Sequence, residues 1–404
     1  MAASARGLID YPLVDADHHY YEPDDAFTRY MAPEFRDDAI TVVRGKGRYG
    51  QLHFQNSRIS FFSAPPGDLA GLPGSYRHVF ADPESTQGLA ASEPVPSSEI
   101  PESLDRDKRL TLLDQQNVQA GIFFPTTAVG VEADLRRADP AVLYANFEAF
   151  NRWVNDDWGW HYEDRIFAVA ALSLVDIDMA VAELDRVLAE GARVVNLLPG
   201  PVMGRSPADP HFDPFWARCE EAGIPVSFHV GNAGFEELFS AAWGENPRPP
   251  HHRVSAFQHV VGMVERPIND TMAALVLHNL FGRFPKLKTL SVENGSTWVG
   301  PLLKKIDLSV RMAAGPDAFL FGRPDGRPSE IFREHVKVCP FPEDNVADLI
   351  AAVGPDLVLF GSDWPHPEGL PDPVEFADQL GALDYPQMRK VMRGNCAALL
   401  GLAD

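Results

Sequence analysis

The sequence predicts a parallel (β/α)8 barrel, and three observations predict it. Short β-branched or apolar runs recur along the chain and most are followed by helical patterns, the alternation that parallel α/β architectures require. Eight such runs occur, enough to close a barrel rather than leave an open sheet. Acidic and imidazole side chains gather at the ends of four of them, where barrels of this kind keep their chemistry.

The runs are Leu13–Ala16, Ala120–Phe124, Ile166–Leu172, Val194–Leu198, Val226–Val230, Lys288–Val292, Val336–Cys339 and Leu357–Phe360. Helical patterns cover Ala141–Trp158, Met179–Glu190, Asp213–Ala222, Asn269–Phe284 and Thr297–Ala313. In the third, Asp213 followed by Pro214 predicts an N-cap and a first helical position. Residues 1–404 are expected to form one barrel domain with insertions at about 41–103 and 231–266. Thr41–Ser60 alternates around Gly-Lys-Gly and predicts a β-hairpin, which runs into a Pro/Gly/Ser-rich excursion over the barrel mouth. The second insertion follows the fifth strand and carries Trp243, Pro247, Pro249, Pro250, His251 and His252. A loop of that length after a barrel strand is expected to act as a lid, a surface insertion or oligomer contact being the alternative.

The composition, 45% hydrophobic and 23% charged, is that of a globular protein with a large core. A net charge of -22 argues against nucleic acid or an anionic membrane as partner, since both would be repelled. It leaves room for an anionic small molecule in a local basic pocket. Cys219, Cys339 and Cys396 lack CxxC spacing, which excludes a disulfide framework and a thiolate zinc site and suits a reducing cytosol. No apolar h-region opens the chain and no run approaches ~18 apolar residues, so a cytoplasmic protein is expected. A homo-oligomer is expected as well.

Four strand ends carry metal-capable side chains. The first run continues into Asp15-Ala16-Asp17-His18-His19, where alternation puts Asp17 and His19 on one face. The fifth ends in His229, the sixth in Glu293 and the eighth in Asp363. A lone strand-end Asp is commonly a helix N-cap, and a lone His a satisfied polar residue. Their joint occurrence is what points to a site. Two imidazoles and three carboxylates suit a hard or borderline divalent metal without sulfur ligands.

At these residues the chain resembles a known family. The segments DADHHYYEP, SFHVGN, FGRFPKLK, ENGSTWVGPLLKKID and FGSDWPHPEG are similar to those of amidohydrolase-related proteins, which include the aminocarboxymuconate-semialdehyde decarboxylase type and aromatic acid decarboxylases. The resemblance runs from about Leu13 to Leu400 outside the insertions. It implies that Asp17 and His19 match a strand-one ligand pair, His229 a strand-five ligand and Asp363 a strand-eight ligand. His366 matches a position common in the family, with hydrogen bonding to a ligand carboxylate as its plainer role. Glu22 matches too, as a salt-bridge or supporting group.

One departure stands out. Decarboxylase-type members usually end strand six in a His-Gly-Gly-like sequence, whereas this chain has Glu293-Asn294-Gly295. A carboxylate there cannot act as a neutral imidazole or an imidazolium would at neutral pH, but it can bind metal. With Glu293 added to a mononuclear set, a second ion is expected, Glu293 or Asp363 bridging. With Glu293 in place of the histidine, the chain resembles a small group of amidohydrolase-like barrels that hydroxylate C–H bonds with iron or mixed-metal pairs. The resemblance implies as leading expectation a monooxygenase using O2 and two metal ions, iron on this reading, with Glu293, Asp363 and His366 in catalytic roles. The alternative is a Zn2+- or Mn2+-dependent hydrolase or non-oxidative decarboxylase of a carboxylic acid. A non-catalytic relative is the third reading, against which the retained ligand set speaks. Phe235, Phe239, Trp243 and Phe257 in the second insertion suggest a bulky apolar small-molecule substrate. Tyr20, Tyr21 and Trp298 read as packing and His278 as a satisfied helix-face histidine, while nothing in their spacing assigns His251, His252 or His259 a role.

Overall fold

The computed structural model describes residues 5–44, 50–59, 69–80, 94–249, 254–262 and 265–403. Seven parallel strands form most of a ring: β1 (Leu13–Tyr20), β2 (Val118–Pro125), β3 (Ile166–Ala168 continuing as Ala170–Ala171), β4 (Val195–Leu197), β5 (Val226–His229), β6 (Thr289–Val292) and β7 (Val336–Val338). Each pairs with the next in chain order. Residues 357–364 close the ring without forming a regular strand. Val358 bridges Val338 on one side, while on the other the Ala16 amide donates to Phe360 O at 2.8 Å and the Asp363 amide to Asp17 O at 2.8 Å. The eighth predicted strand is thus present as an irregular seam, along which Gly361 sits where a Cβ would come 2.6 Å from the Asp17 Cβ.

All eight residues of β1 are buried, as expected of a parallel strand covered on both faces. Val14, Ala16, Ala120, Ile122, Phe124, Phe167, Val169, Leu290, Val292 and Leu359 form a cluster that draws on strand after strand and fills the barrel. A larger cluster joins strands to helices. Between Asp15 and His18 the register of β1 against β2 shifts, a bulge that changes the phase of the alternation. Val14 and Ala16 face the interior below it, and Asp17 and His19 face the same interior above it.

The outer layer includes α1 (Arg106–Gln115), α2 (Pro140–Asp157), α3 (Ile177–Ala189), α4 (Asp213–Ala222), α5 (Glu265–Leu277), α6 (Val299–Met312), α7 (Pro328–His335) and α8 (Val346–Val353). Asp105, Asp139 and Asp176 cap the first three through side-chain oxygens that accept backbone N–H groups. Asp213 does not cap α4. It is already helical at the first position, and its carboxylate takes the Arg283 guanidinium at 2.9 Å; Asp209 caps the preceding short turn instead. The predicted helix over 269–284 breaks at Asn279, which adopts a left-handed φ of 57°, so α5 is followed by a separate turn, Leu280–Arg283.

In the first insertion Thr41–Arg44 pairs antiparallel with Gly50–Phe54, as predicted; the Gly-Lys-Gly turn lies outside the described residues. Further on, Gly71 and Tyr76 pack against Pro367 in the turn after Asp363, which puts this excursion on the strand-end side of the barrel. In the second, Phe235 is buried with Leu198 and Ala233 and stacks with Phe239 at 5.0 Å. Trp243 is 76% exposed against Phe257, so the four aromatics do not line one pocket as expected. His251 and His252 lie outside the described residues, and His259 is exposed. Among the described residues, no helix is long and apolar enough to cross a membrane.

Candidate metal centre

The side chains singled out at the four strand ends converge. One donor atom each from Asp17, His19, His229 and Glu293 falls within a 4.8 Å cluster, and a second cluster joins His19 and Glu293 to Asp363 and His366. His19 Nε2 lies 3.1 Å from His229 Nε2, 3.3 Å from Asp17 Oδ1, 3.5 Å from Asp363 Oδ1 and 3.7 Å from Glu293 Oε2. His229 Nε2 lies 3.1 Å from Glu293 Oε2 and 3.6 Å from Asp17 Oδ1.

Local backbone chemistry aims each group. Glu293 and Asp363 both adopt left-handed φ, 53° and 57°, which costs a non-glycine residue on the order of 1 kcal/mol or more and must be held by its surroundings. At Glu293 the hold is Asn294, whose Nδ2 donates to Phe228 O at 2.7 Å and to Val292 O at 2.8 Å, tying β6 to β5. At Asp363 it is the amide bond to Asp17 O together with the His366 amide, which donates to Asp363 O at 2.9 Å. Asn196 on β4 fixes the end of β5, its Oδ1 accepting from the His229 amide at 3.1 Å and from Ser227 Oγ at 3.0 Å. His229 Nδ1 lies 2.9 Å from Val230 O; donation there leaves Nε2 directed at the cluster.

Burial sets the electrostatics. It pushes the Asp363 carboxyl well above the usual carboxylate range, and repulsion from Glu293, Glu368 and Asp17 adds to it. Burial likewise raises Glu368, to about 8, again with Glu293 contributing. His19 is held well below its ordinary value by burial and by His366 and His229 nearby. At His229 burial pulls down, but hydrogen bonding to Asp17 and Glu293 prevails and raises it to about 10. Among the described residues the ion-pair partners of Asp17, Glu293 and Asp363 are all histidines.

Such a donor set fits a divalent cation. Ligand atoms about 2.1 Å from an ion stand about 3 Å apart when adjacent in its shell, close to the separations observed. Asp17 Oδ1 is buried 3.3 Å from His19 Nε2 and 3.6 Å from His229 Nε2, and three clustered carboxylates lack a Lys or Arg among those ion-pair partners.

The supporting residues take varied places. His366 Nδ1 contacts Asp363 Oδ1 at 2.7 Å and its Nε2 lies 3.0 Å from Thr126 Oγ1, the plainer role foreseen for it. Among the described residues Glu22 makes no ion pair. It accepts from the Thr127 amide and hydroxyl at 2.7 Å each, and burial prevails over those bonds to raise it to about 7. Trp298 is buried in the core with Nε1 on Gly295 O, and His278 Nδ1 meets Ser206 Oγ at 2.8 Å, away from the cluster. Tyr20 packs between Trp153 and Trp158, and Tyr21 stacks on His366. Sequence reasoning missed Asn196, Asn294 and the carboxylate of Asp15. A polar residue interrupting an apolar strand run, as in Val-Val-Asn-Leu or Val-Asp-Ala, was the available signal for two of them.

Comparison with known proteins supplies the lineage. An amidohydrolase family model matches residues 14–402. An amidohydrolase of Mycobacterium avium subsp. paratuberculosis, solved by crystallography, is 35% identical and superposes with a TM-score of 0.88, covering 97% of this chain and 100% of that one. A gamma-resorcylate decarboxylase of Rhodococcus jostii is 24% identical over 319 residues, 74% of this chain and 88% of the relative. A dihydroxybenzoic acid decarboxylase of Polaromonas, solved with bound manganese and 2-nitroresorcinol, shares the fold at 19% identity and a TM-score of 0.56, covering 76% of this chain and 90% of that one. The two decarboxylases among these relatives, one of them solved with manganese, overturn the expectation of an iron-dependent, O2-using monooxygenase and match the alternative reading instead. With the family model spanning nearly the whole chain, and a barrel whose strand ends bring its metal-capable residues together, the protein belongs to the amidohydrolase family.

Proposed function

We propose that this protein is a metal-dependent, non-oxidative decarboxylase of a small aromatic carboxylic acid. The observation that carries the reading is the gathering of His229, Asp17, Asp363 and Glu293 around His19 Nε2 at the strand ends, with separations of 3.1, 3.3, 3.5 and 3.7 Å. The gamma-resorcylate decarboxylase relatives support the reaction class. Asp17, His19, His229 and Asp363 would hold a Mn2+ or Zn2+ ion, with Glu293 beside it. One ion is proposed rather than the expected pair. His19 approaches members of both clusters through the same Nε2, and one lone pair serves one ion. When bound, the ion would supply an electrostatic anchor for the substrate carboxylate and an adjacent ring oxygen.

The chain's own residues would do the rest. Glu293 Oε2, which the left-handed turn aims into the cluster, would hold the proton delivered to the ring carbon as CO2 leaves. His366 would keep the Asp363 carboxylate oriented, as its 2.7 Å contact permits.

The experiment is direct. Mn2+-loaded protein is incubated under argon with 2,6-dihydroxybenzoate and related hydroxybenzoates labelled with 13C at the carboxyl group. Release of 13CO2 without oxygen is the expected result; turnover that stops under argon, or hydrolysis with the label retained, overturns the reading. A hydrolytic reading is favoured by the 35% identical amidohydrolase, and an ester and amide panel tested in parallel distinguishes it.

A further inference from the structure

Behind the metal cluster, on the side of β1 that faces α1, lies a buried polar chain that the sequence reading did not use. Asp15, His18 and Arg109 are all 0% exposed. Arg109 Nη1 donates to His18 Nδ1 at 3.4 Å, and the His18 ring stacks on Phe123. An arginine can only donate, so His18 Nδ1 must accept, and the imidazole proton of the neutral ring resides on Nε2. That nitrogen lies 3.2 Å from Asp15 Oδ2, within ion-pair range though outside hydrogen-bond angles. The other Asp15 oxygen accepts two backbone amides at 3.0 Å each, those of Asp17 and Ser362. At the far end Arg109 Nη2 donates to His19 O at 2.8 Å and Nε to Glu102 O at 2.8 Å.

The charges are as telling as the bonds. Among the described residues, Arg109 forms no ion pair with a carboxylate; Trp364, Phe123 and Trp158 flank its guanidinium, Trp364 at 4.1 Å. A buried cation so enclosed needs a nearby anion. Glu102 and, one imidazole away, Asp15 are the nearby carboxylates that favour it. The chain therefore grips the Asp17-His18-His19 segment at both ends, Asp17 through its N–H and His19 through its C=O. It also joins that segment to Ser362, the residue before Asp363.

We infer that Arg109, His18 and Asp15 form a positioning relay that sets the backbone of Asp17, His19 and Asp363 at the separations a metal ion needs. None of the three touches the cluster; each acts through the ligand-bearing backbone. The inference rests on the metal-centre reading above.

Its test measures metal affinity and the electronic symmetry of the bound ion rather than turnover. Mn2+ dissociation constants come from chelator competition on folded, metal-free protein, and Mn2+ electron paramagnetic resonance spectra from the loaded samples. His18→Phe keeps the ring and its stacking but removes both nitrogens. It should weaken binding by ~10–100-fold and broaden the spectrum, as losses behind a ligand do. Asp15→Ala should do the same, while Asp15→Asn, which retains an oxygen for the two amides, should lose less. Glu183→Gln, a buried carboxylate between Asn151 and Arg186, serves as a control that lowers the melting temperature without moving either readout. Should Asp15→Ala fail to fold, His18→Phe and Asp15→Asn decide. Wild-type affinity and spectrum in those variants overturn the relay while leaving the metal centre standing. Absence of Mn2+ binding in the wild-type protein overturns both.

Discussion

His19 and His229 face each other through their Nε2 atoms at 3.1 Å, two buried imidazoles contributed by strands on different parts of the ring. Donation from His229 Nδ1 to Val230 O leaves the His229 Nε2 lone pair pointing at its neighbour when the ring is neutral. Two lone pairs at that distance repel unless a proton or a cation intervenes. Asp17 and Glu293 press the same way, since their hydrogen bonds raise His229 to about 10 against the pull of burial. A cation held between them would satisfy both imidazoles and the Asp17 carboxylate at once.

Removing one imidazole should remove the ion. Protein purified without added metal is expected to carry about one divalent ion per chain, read by inductively coupled plasma mass spectrometry. His229→Ala should carry close to none. Equal metal content in the two proteins takes His229 out of the site.

Glu293 is assigned to proton handling rather than to holding the ion. Glu293→Gln should therefore keep its metal within about twofold and lose turnover by ~10²–10⁴-fold, the range that general acid–base groups contribute. A matching loss of metal would move Glu293 into the ion's shell.

Gly361 permits the close seam between residues 357–364 and β1. A methyl group there would overlap Cys339 Sγ and reach 2.6 Å from the Asp17 Cβ. Gly361→Ala should cost about 1–3 kcal/mol in denaturant unfolding, as overpacking does, and should weaken metal binding by displacing Asp17. Adding Cys339→Ala should restore part of the stability and little of the affinity, because the Asp17 contact remains. Full recovery of both would show that only the sulfur mattered.

Burial raises Glu22 from 4.5 to about 7 in spite of its bonds to Thr127, so the folded chain holds this proton more tightly than the unfolded one. Its stabilising contribution is complete below about pH 4.5 and disappears as pH climbs through about 7. Glu22→Gln should flatten the fall in metal-free stability across that window by up to roughly 1.4 kcal/mol per pH unit. Parallel wild-type and variant curves from urea unfolding would refute the assignment.

The sequence by itself determined the barrel and most of the cluster. Parallel strands buried on both faces read as apolar runs, so seven of the eight were legible, and Asp17, His19, His229, Glu293 and Asp363 were legible as polar groups where those runs stop. Tertiary structure decided what periodicity cannot carry. Strict alternation would set Val14 and Ala16 on one face of β1 and Asp17 and His19 on the other; the bulge against β2 turns all four inward. The eighth segment joins β1 by amide bonds and β7 by a bridge instead of a regular ladder, a pairing that exists only in the closed ring, where Gly361 leaves no room for a Cβ beside Asp17. Asp15, Asn196 and Asn294 act through amides and carbonyls of distant strands, and such partners exist only once the ring has closed. The metal-capable residue types were written in the chain, but only the closed ring brings both groups of them to a single nitrogen, His19 Nε2.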